Sequence, residues 1–205
     1  MMLRIAAAVA VALGVTILML YFEEVGKLPW SAAPKRSLRE MKERTTSPGH
    51  FEPTTFAAMA ALPRHVPLAE CVAIEGRAVS LEGYAQRMLR AADGDIHLDF
   101  ADTLAADGHL VPYLSAEITP QWHLGTRWRF ERLVALLRPF IVDPVRFDVR
   151  PRRVRVSGWL LYDYPYEDER AVFGFPLHVT LWEIHPVTRI ETWDDSLARF
   201  VEFPR

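Results

Sequence analysis

The chain has a single cysteine, Cys71, in 205 residues. One thiol forms no internal disulfide and builds no thiolate zinc site, so no covalent staple supports the fold. Cys71 reads as a small buried hydrophobe rather than a nucleophile. The sequence also lacks a Gly-rich phosphate loop and a G-x-S-x-G elbow, and neither Ser115 nor Ser157-Gly158 has local nucleophile context. It has no internal repeat and no low-complexity tract. Excess positive charge is missing too. The formal net charge is −2, whereas a protein devoted to nucleic acid is usually basic, so that partner is disfavoured. Half of the residues are hydrophobic, which excludes a disordered chain and leaves an ordinary globular composition.

One long apolar run is present. Ile5 to Phe22 carries no charge. At helical rise it spans about 27 Å, close to a hydrocarbon core of about 30 Å. Arg4 precedes the run, and Glu23 and Glu24 follow it. Positive charge on the N-terminal side predicts an N-in orientation, with the rest of the chain outside the cytoplasm. A cleaved signal peptide would also begin this way, but Leu18 to Tyr21 offers no small-x-small site. Residues 1–24 are therefore expected to be a signal-anchor, a single-pass helix in the inner (plasma) membrane. Residues 25–67 are expected to be a basic flexible linker with Lys35, Arg36, Arg39, Lys42 and Arg44. Charge so close to a membrane could touch anionic headgroups, although a solvated spacer is the simpler reading. Within the linker, Thr55 to Leu62 suits a short helix capped by Thr54 or Thr55.

Residues 68–205 read as one β-rich domain. Val72 to Val79 is strand-like, and Gly76 and Gly83 could bend a long first strand at a barrel corner. Ile96, Leu98 and Phe100 alternate with Asp95, His97 and Asp99, a half-buried second strand. Leu114, Ala116 and Ile118 alternate with Ser115, Glu117 and Thr119 in a third. Thr126 to Arg138 reads as a helix with Phe130, Leu133, Val134 and Leu137 on one face, capped by Thr126 and stopped by Pro139. Val154 to Tyr162 gives a fourth strand; Thr180 to Trp193 gives a fifth, broken near Pro186. Trp122, Trp128, Trp159, Trp182 and Trp193 are candidate core anchors.

The order β-β-β-α-β-β resembles the OB fold, a mainly β, five-stranded Greek-key barrel with one helix between strands three and four. A small β-sandwich or a split barrel of another topology is the rival. The segments Gly94 to Leu98, Gly158 to Asp163 and Trp182 to Val187 resemble signatures of a bacterial membrane-anchored family with no assigned activity. Asp93-Gly94-Asp95 is similar to the turn before an active-site strand in thermonuclease-type OB domains. That resemblance implies an arginine and further carboxylates before the helix, yet Asp99 to Ile118 contains no arginine.

If the alternating apolar residues point inward, Asp95, His97 and Asp99 share the outer face of strand two, Glu117 that of strand three, and Glu183 and His185 that of strand five. In an OB barrel these strands are neighbours. His97, Glu117, Glu183 and His185, with Asp95 and Asp163 at the margin, are thus a candidate binding or metal cluster. Imidazole and carboxylate together suit a divalent metal, or an acid–base pair without one. Against this stands the ordinary charged face of a sheet, in which His–Glu pairs stabilise by about 0.2–1 kcal/mol. Tyr164, Tyr166, Phe173 and Phe175 form a candidate ligand-stacking loop, or else cover a barrel end. Arg87 and Arg90, placed on the loop between strands one and two, are candidate anion contacts. Arg146, Arg150, Arg152, Arg153 and Arg155 form a basic stretch in which Arg153 and Arg155 share a solvent face as a stripe, either a grip on phosphate or a charged edge that blocks aggregation. The expected function is an extracytoplasmic membrane-anchored binding module of unknown ligand. The alternative is a metal- or acid/base-dependent hydrolase of phosphoester or nucleic-acid type.

Overall fold

The computed structural model describes residues 14–16, 38–163 and 177–205. The expected membrane helix lies outside the described residues except for Gly14 to Thr16, which are helical. The stacking loop with Tyr164, Tyr166, Phe173 and Phe175 lies outside them altogether. Among the described residues no helix is long and apolar enough to cross a membrane.

The elements in chain order are α1 (Leu38–Lys42), β1 (Glu52–Thr54), α2 (Phe56–Ala60), α3 (Leu68–Glu75), β2 (Ala78–Arg90), β3 (Ile96–Ala101) and β4 (Leu114–Ile118). They continue with α4 (Pro120–His123), α5 (Phe130–Leu137), β5 (Ile141–Val142), β6 (Val145–Arg146), β7 (Val154–Tyr162), β8 (Trp182–Asp194) and β9 (Arg199–Glu202). The fold is mainly β, with a closed five-stranded barrel. Its walls run β2–β3–β4–β8–β7 and return to β2. The β4–β8 pairing is parallel and the other four are antiparallel.

Closure depends on β2 changing partner midway. Ala78 to Gly83 pair with β7, and Tyr84 to Arg90 pair with β3. The hand-over falls at Gly83, where a Cβ would overlap the Ala101 carbonyl and sit 3.0 Å from the rings of Phe100 and Phe56. Only glycine lets the strands approach this closely. Inside, Leu81, Met88, Ile96, Leu98, Phe100, Leu114, Val156 and Ile184 are buried almost completely. Leu133 and Leu137 of α5 join this core. Each such side chain contributes about 1.5–3 kcal/mol relative to exposure.

Three sequence expectations are corrected. Val72 to Ile74 belong to α3, not to a strand, and Gly76 closes that helix through its N–H to the Val72 carbonyl. A short apolar run fits either element by periodicity, and here Cys71 buries its side chain from a helix. Second, the helix expected from Thr126 begins at Phe130, and α4 precedes it in the same β4–β7 connection. The Thr126 hydroxyl donates back to the His123 carbonyl and accepts from the Trp128 N–H, so it finishes α4 rather than capping α5. Third, part of the expected spacer packs on the barrel. Strand β1 pairs with β2, Met59 is buried, and the indoles of Trp122 and Trp159 donate to the carbonyls of Arg44 and Thr46. Thr55 does cap its short helix, accepting from the Ala58 N–H at 3.1 Å.

Candidate functional site

Strand parity builds the site. The inward stripe Ile96–Leu98–Phe100 forces Asp95, His97 and Asp99 onto the outer face of β3. The β3–β4 register sets His97 opposite Glu117 and Asp99 opposite Ser115. The parallel bridge Ala116–Ile184 then brings β8 alongside, so its outward residues Glu183 and His185 stand next to Glu117. Asp163 follows β7, and its N–H donates to the Leu181 carbonyl at 3.0 Å.

Glu117 carries an imidazole on each oxygen. His97 Nδ1 lies 3.1 Å from its Oε1, and His185 Nδ1 lies 3.1 Å from its Oε2. His185 Nδ1 is also 3.4 Å from Glu183 Oε2, and Nε2 on the other side of the ring is 3.4 Å from Asp95 Oδ2. That Nε2 is buried and makes no hydrogen bond; neither does Asp163 Oδ1 nor His97 Nε2. His185, Glu117, Glu183, Asp95 and Asp163 are all buried, whereas the His97 side chain is 28% exposed. Of these described residues, His97 is the one that reaches solvent.

The electrostatics follow from burying acids and bases together. Burial opposes charge on His185, but the carboxylates of Glu117, Asp95 and Glu183 outweigh it and raise the imidazole pKa well above its usual value. Burial likewise disfavours the Glu117 anion, yet His185, His97 and Lys42 hold its pKa below the usual range. Asp95 behaves the same way, against burial and mainly through His185. Asp163 goes in the opposite direction: burial and the neighbouring Glu183 push it up to about 8. Lys42, from the expected spacer, lies in this field. Its own burial opposes the charge, but Asp163, Glu117 and Glu183 raise its pKa. No sequence signal singled out Lys42, because its relation to strands far along the chain is purely tertiary.

Arg87 and Arg90 are corrected. Strand β2 runs further than expected, so both lie on it rather than on a loop. Arg87 pairs with Asp99 at 2.5 Å and donates to the Tyr113 hydroxyl at 3.3 Å. Arg90 pairs with Glu131 over the Phe130 ring. Burial pushes Asp99 up to about 6 in spite of Arg87. Ser115 Oγ lies 3.1 Å from His178 Nε2, a contact the sequence did not suggest. The basic stripe is likewise engaged: Arg153 and Arg155 pair with Glu82 at 2.6 and 2.7 Å. These two arginines stand beside a groove of ≈ 890 Å³ that Ser80, Glu82, Arg155, Ser157, Arg189 and Glu191 help line. Its guanidinium and carboxylate groups pair with one another across β2, β7 and β8.

Among the described residues, two sets of side chains come close enough to share a metal ion: Asp95, Glu117 and His185, and also Asp93, Asp95 and His97, with ligand atoms within 4.8 Å of one another in each. Asp93, on the β2–β3 turn, is exposed. Chemically, the wall can hold a cation or pass a proton between the half-exposed His97 and Glu117. No family model, no curated protein and no solved structure matches the chain.

Proposed function

We propose that the protein is an OB-type binding module, held at the membrane by its apolar N-terminus with the barrel outside the cytoplasm. Its ligand wall is the outer face of β3, β4 and β8. The strand order, the parallel β4–β8 pairing and the helices between β4 and β7 agree with an OB barrel. The uncharged run from Ile5 to Phe22 agrees with a membrane anchor. One observation carries the binding role. Asp95, His97, Glu117, Glu183 and His185, from three strands and a turn, converge on one wall with buried polar atoms left without hydrogen bonds. The wall borders the β2–β3 turn, which carries Asp93 and corresponds to one of the loops an OB barrel uses.

The test is a thermal-shift and NMR screen of the full chain in detergent micelles. The probes are chitotriose, a thymidine oligonucleotide and divalent metal ions. At least one probe should raise the melting temperature and shift the His97 imidazole resonances. Ligands that stabilise wild type and His97→Ala equally, or none that stabilises either, would remove the binding wall. A second reading, hydrolysis of a phosphoester, is favoured by the half-exposed His97–Glu117 pair at 3.1 Å, which suits general acid–base work. Cleavage of bis(p-nitrophenyl) phosphate that vanishes in His97→Ala would favour that reading.

A further inference from the structure

On the outer wall of β3, β4 and β8, one buried ring nitrogen faces a carboxylate without a hydrogen bond to it. His185 is fully buried, and its Nε2 makes no hydrogen bond. The opposite ring nitrogen is already held, by Glu117 at 3.1 Å and Glu183 at 3.4 Å. A histidine held through Nδ1 by carboxylates while Nε2 faces a further potential ligand is the arrangement by which proteins aim imidazole at a metal. Asp95 Oδ2 faces that Nε2 at 3.4 Å. Two ligands bound at about 2.0–2.2 Å around a tetrahedral ion are roughly 3.4 Å apart.

We propose that His185, Asp95 and Glu117 hold a divalent transition-metal ion of the zinc or manganese class. One ligand atom from each lies within 4.8 Å of the others; Glu117 joins the shell by turning an oxygen from Nδ1 to the ion, which leaves Glu183 to hold Nδ1. The donor set selects the ion. Calcium takes 6–8 oxygen ligands, more than this group supplies, and an imidazole nitrogen favours transition ions. No thiolate is present to draw a softer metal, because the only cysteine, Cys71, is buried beside the Val66 carbonyl. Asp163, like His97 with its Nε2, supplies a further unbonded atom. It is 8% exposed, and its Oδ1 has no hydrogen-bond partner. Its carboxyl lies near Glu183 and Glu117 and is not counted as a ligand. Asp93 and His97, which with Asp95 form an overlapping group, lie on the side open to solvent and give an ion a way in.

The inference rests on the binding-wall reading and names its ligand. The test uses the full chain in detergent: metal content of the protein as purified, then calorimetric titration of the stripped protein with Zn²⁺, Mn²⁺ and Ca²⁺. About one transition ion per chain is expected, and no uptake of Ca²⁺. Asp95→Asn and Glu117→Gln should each weaken binding by about tenfold or more, while Glu183→Gln, which only orients the ring, should weaken it less or equally. These near-isosteric changes keep the test valid if His185→Ala does not fold. A chain that takes up neither Zn²⁺ nor Mn²⁺ overturns the metal site, and so does an affinity unchanged in Asp95→Asn. If chitotriose or the oligonucleotide still acts through His97 in that case, the wall survives and only the metal falls.

Discussion

Gly158 and Pro186 touch so closely across β7 and β8 that a methyl group on Gly158 would overlap the Pro186 carbonyl oxygen. The pairing of the two strands shifts register on both sides of Gly158. This is where β8 carries its outward residues from His185 on towards Arg189. Gly158→Ala is therefore expected to destabilise the protein by about 1–3 kcal/mol or more, because the blocking atom is backbone and cannot turn aside. The same change at Gly49, which faces open space, should have little effect. Urea denaturation of both variants checks this. A Gly158→Ala variant as stable as wild type would show that the strands can part without cost.

Asp163 gives the stability a specific pH dependence. Its folded pKa is about 8 against an ordinary value of 3.8, so the folded protein holds a proton that the unfolded chain releases. Between about pH 4 and about pH 8 the native state binds more protons, and this group's contribution falls as pH rises. Asp163→Asn removes that slope, since an amide has no proton to lose. The variant should match wild type near pH 4 and exceed it near pH 9 by an amount on the order of a few kcal/mol. Chemical denaturation across that range reads it. A variant less stable than wild type at alkaline pH would mean that Lys42 stabilises the Asp163 anion.

The segment after the N-terminal run is tied to the barrel by two indoles. Trp122 Nε1 donates to the Arg44 carbonyl at 2.7 Å and Trp159 Nε1 to the Thr46 carbonyl at 3.0 Å, while the Arg44 guanidinium lies 4.9 Å from the Trp159 ring. A chain beginning at residue 38 should keep the barrel's stability. One beginning at residue 51 leaves both indoles without these acceptors and exposes the wall beneath Lys42. The second truncation should lose about 1–3 kcal/mol relative to the first, from the buried Trp122 N–H alone. Equal stability of the two fragments would show that the segment adds nothing to the fold.

Much of the barrel was legible because side-chain alternation is local. Ile96, Leu98 and Phe100 fixed which face of β3 is buried, and Asp95, His97 and Asp99 had to take the other. The same parity placed Glu117 and Glu183 with His185, and the assumed neighbours β3, β4 and β8 then brought them together. The elements that misled were short or ambiguous. Val72 to Ile74 suit a strand as well as the helix they form, and a threonine before an apolar run can end one helix as readily as begin the next.

The sequence by itself determined the alternation, the glycines that permit close strand contact and the residue types on the polar wall, since each depends on a few neighbours along the chain. Tertiary structure alone decided how that wall is charged. Lys42 enters the field of Asp163, Glu117 and Glu183 from across the molecule, and Arg87 and Arg90, free by sequence, are taken up by Asp99 and Glu131. The fully buried ring of His185 is likewise a tertiary result, for outward parity on a strand says nothing of what later packs over it. Burial and long-range charge are sums over neighbours in space, and a linear sequence does not specify those neighbours until the chain has closed on itself.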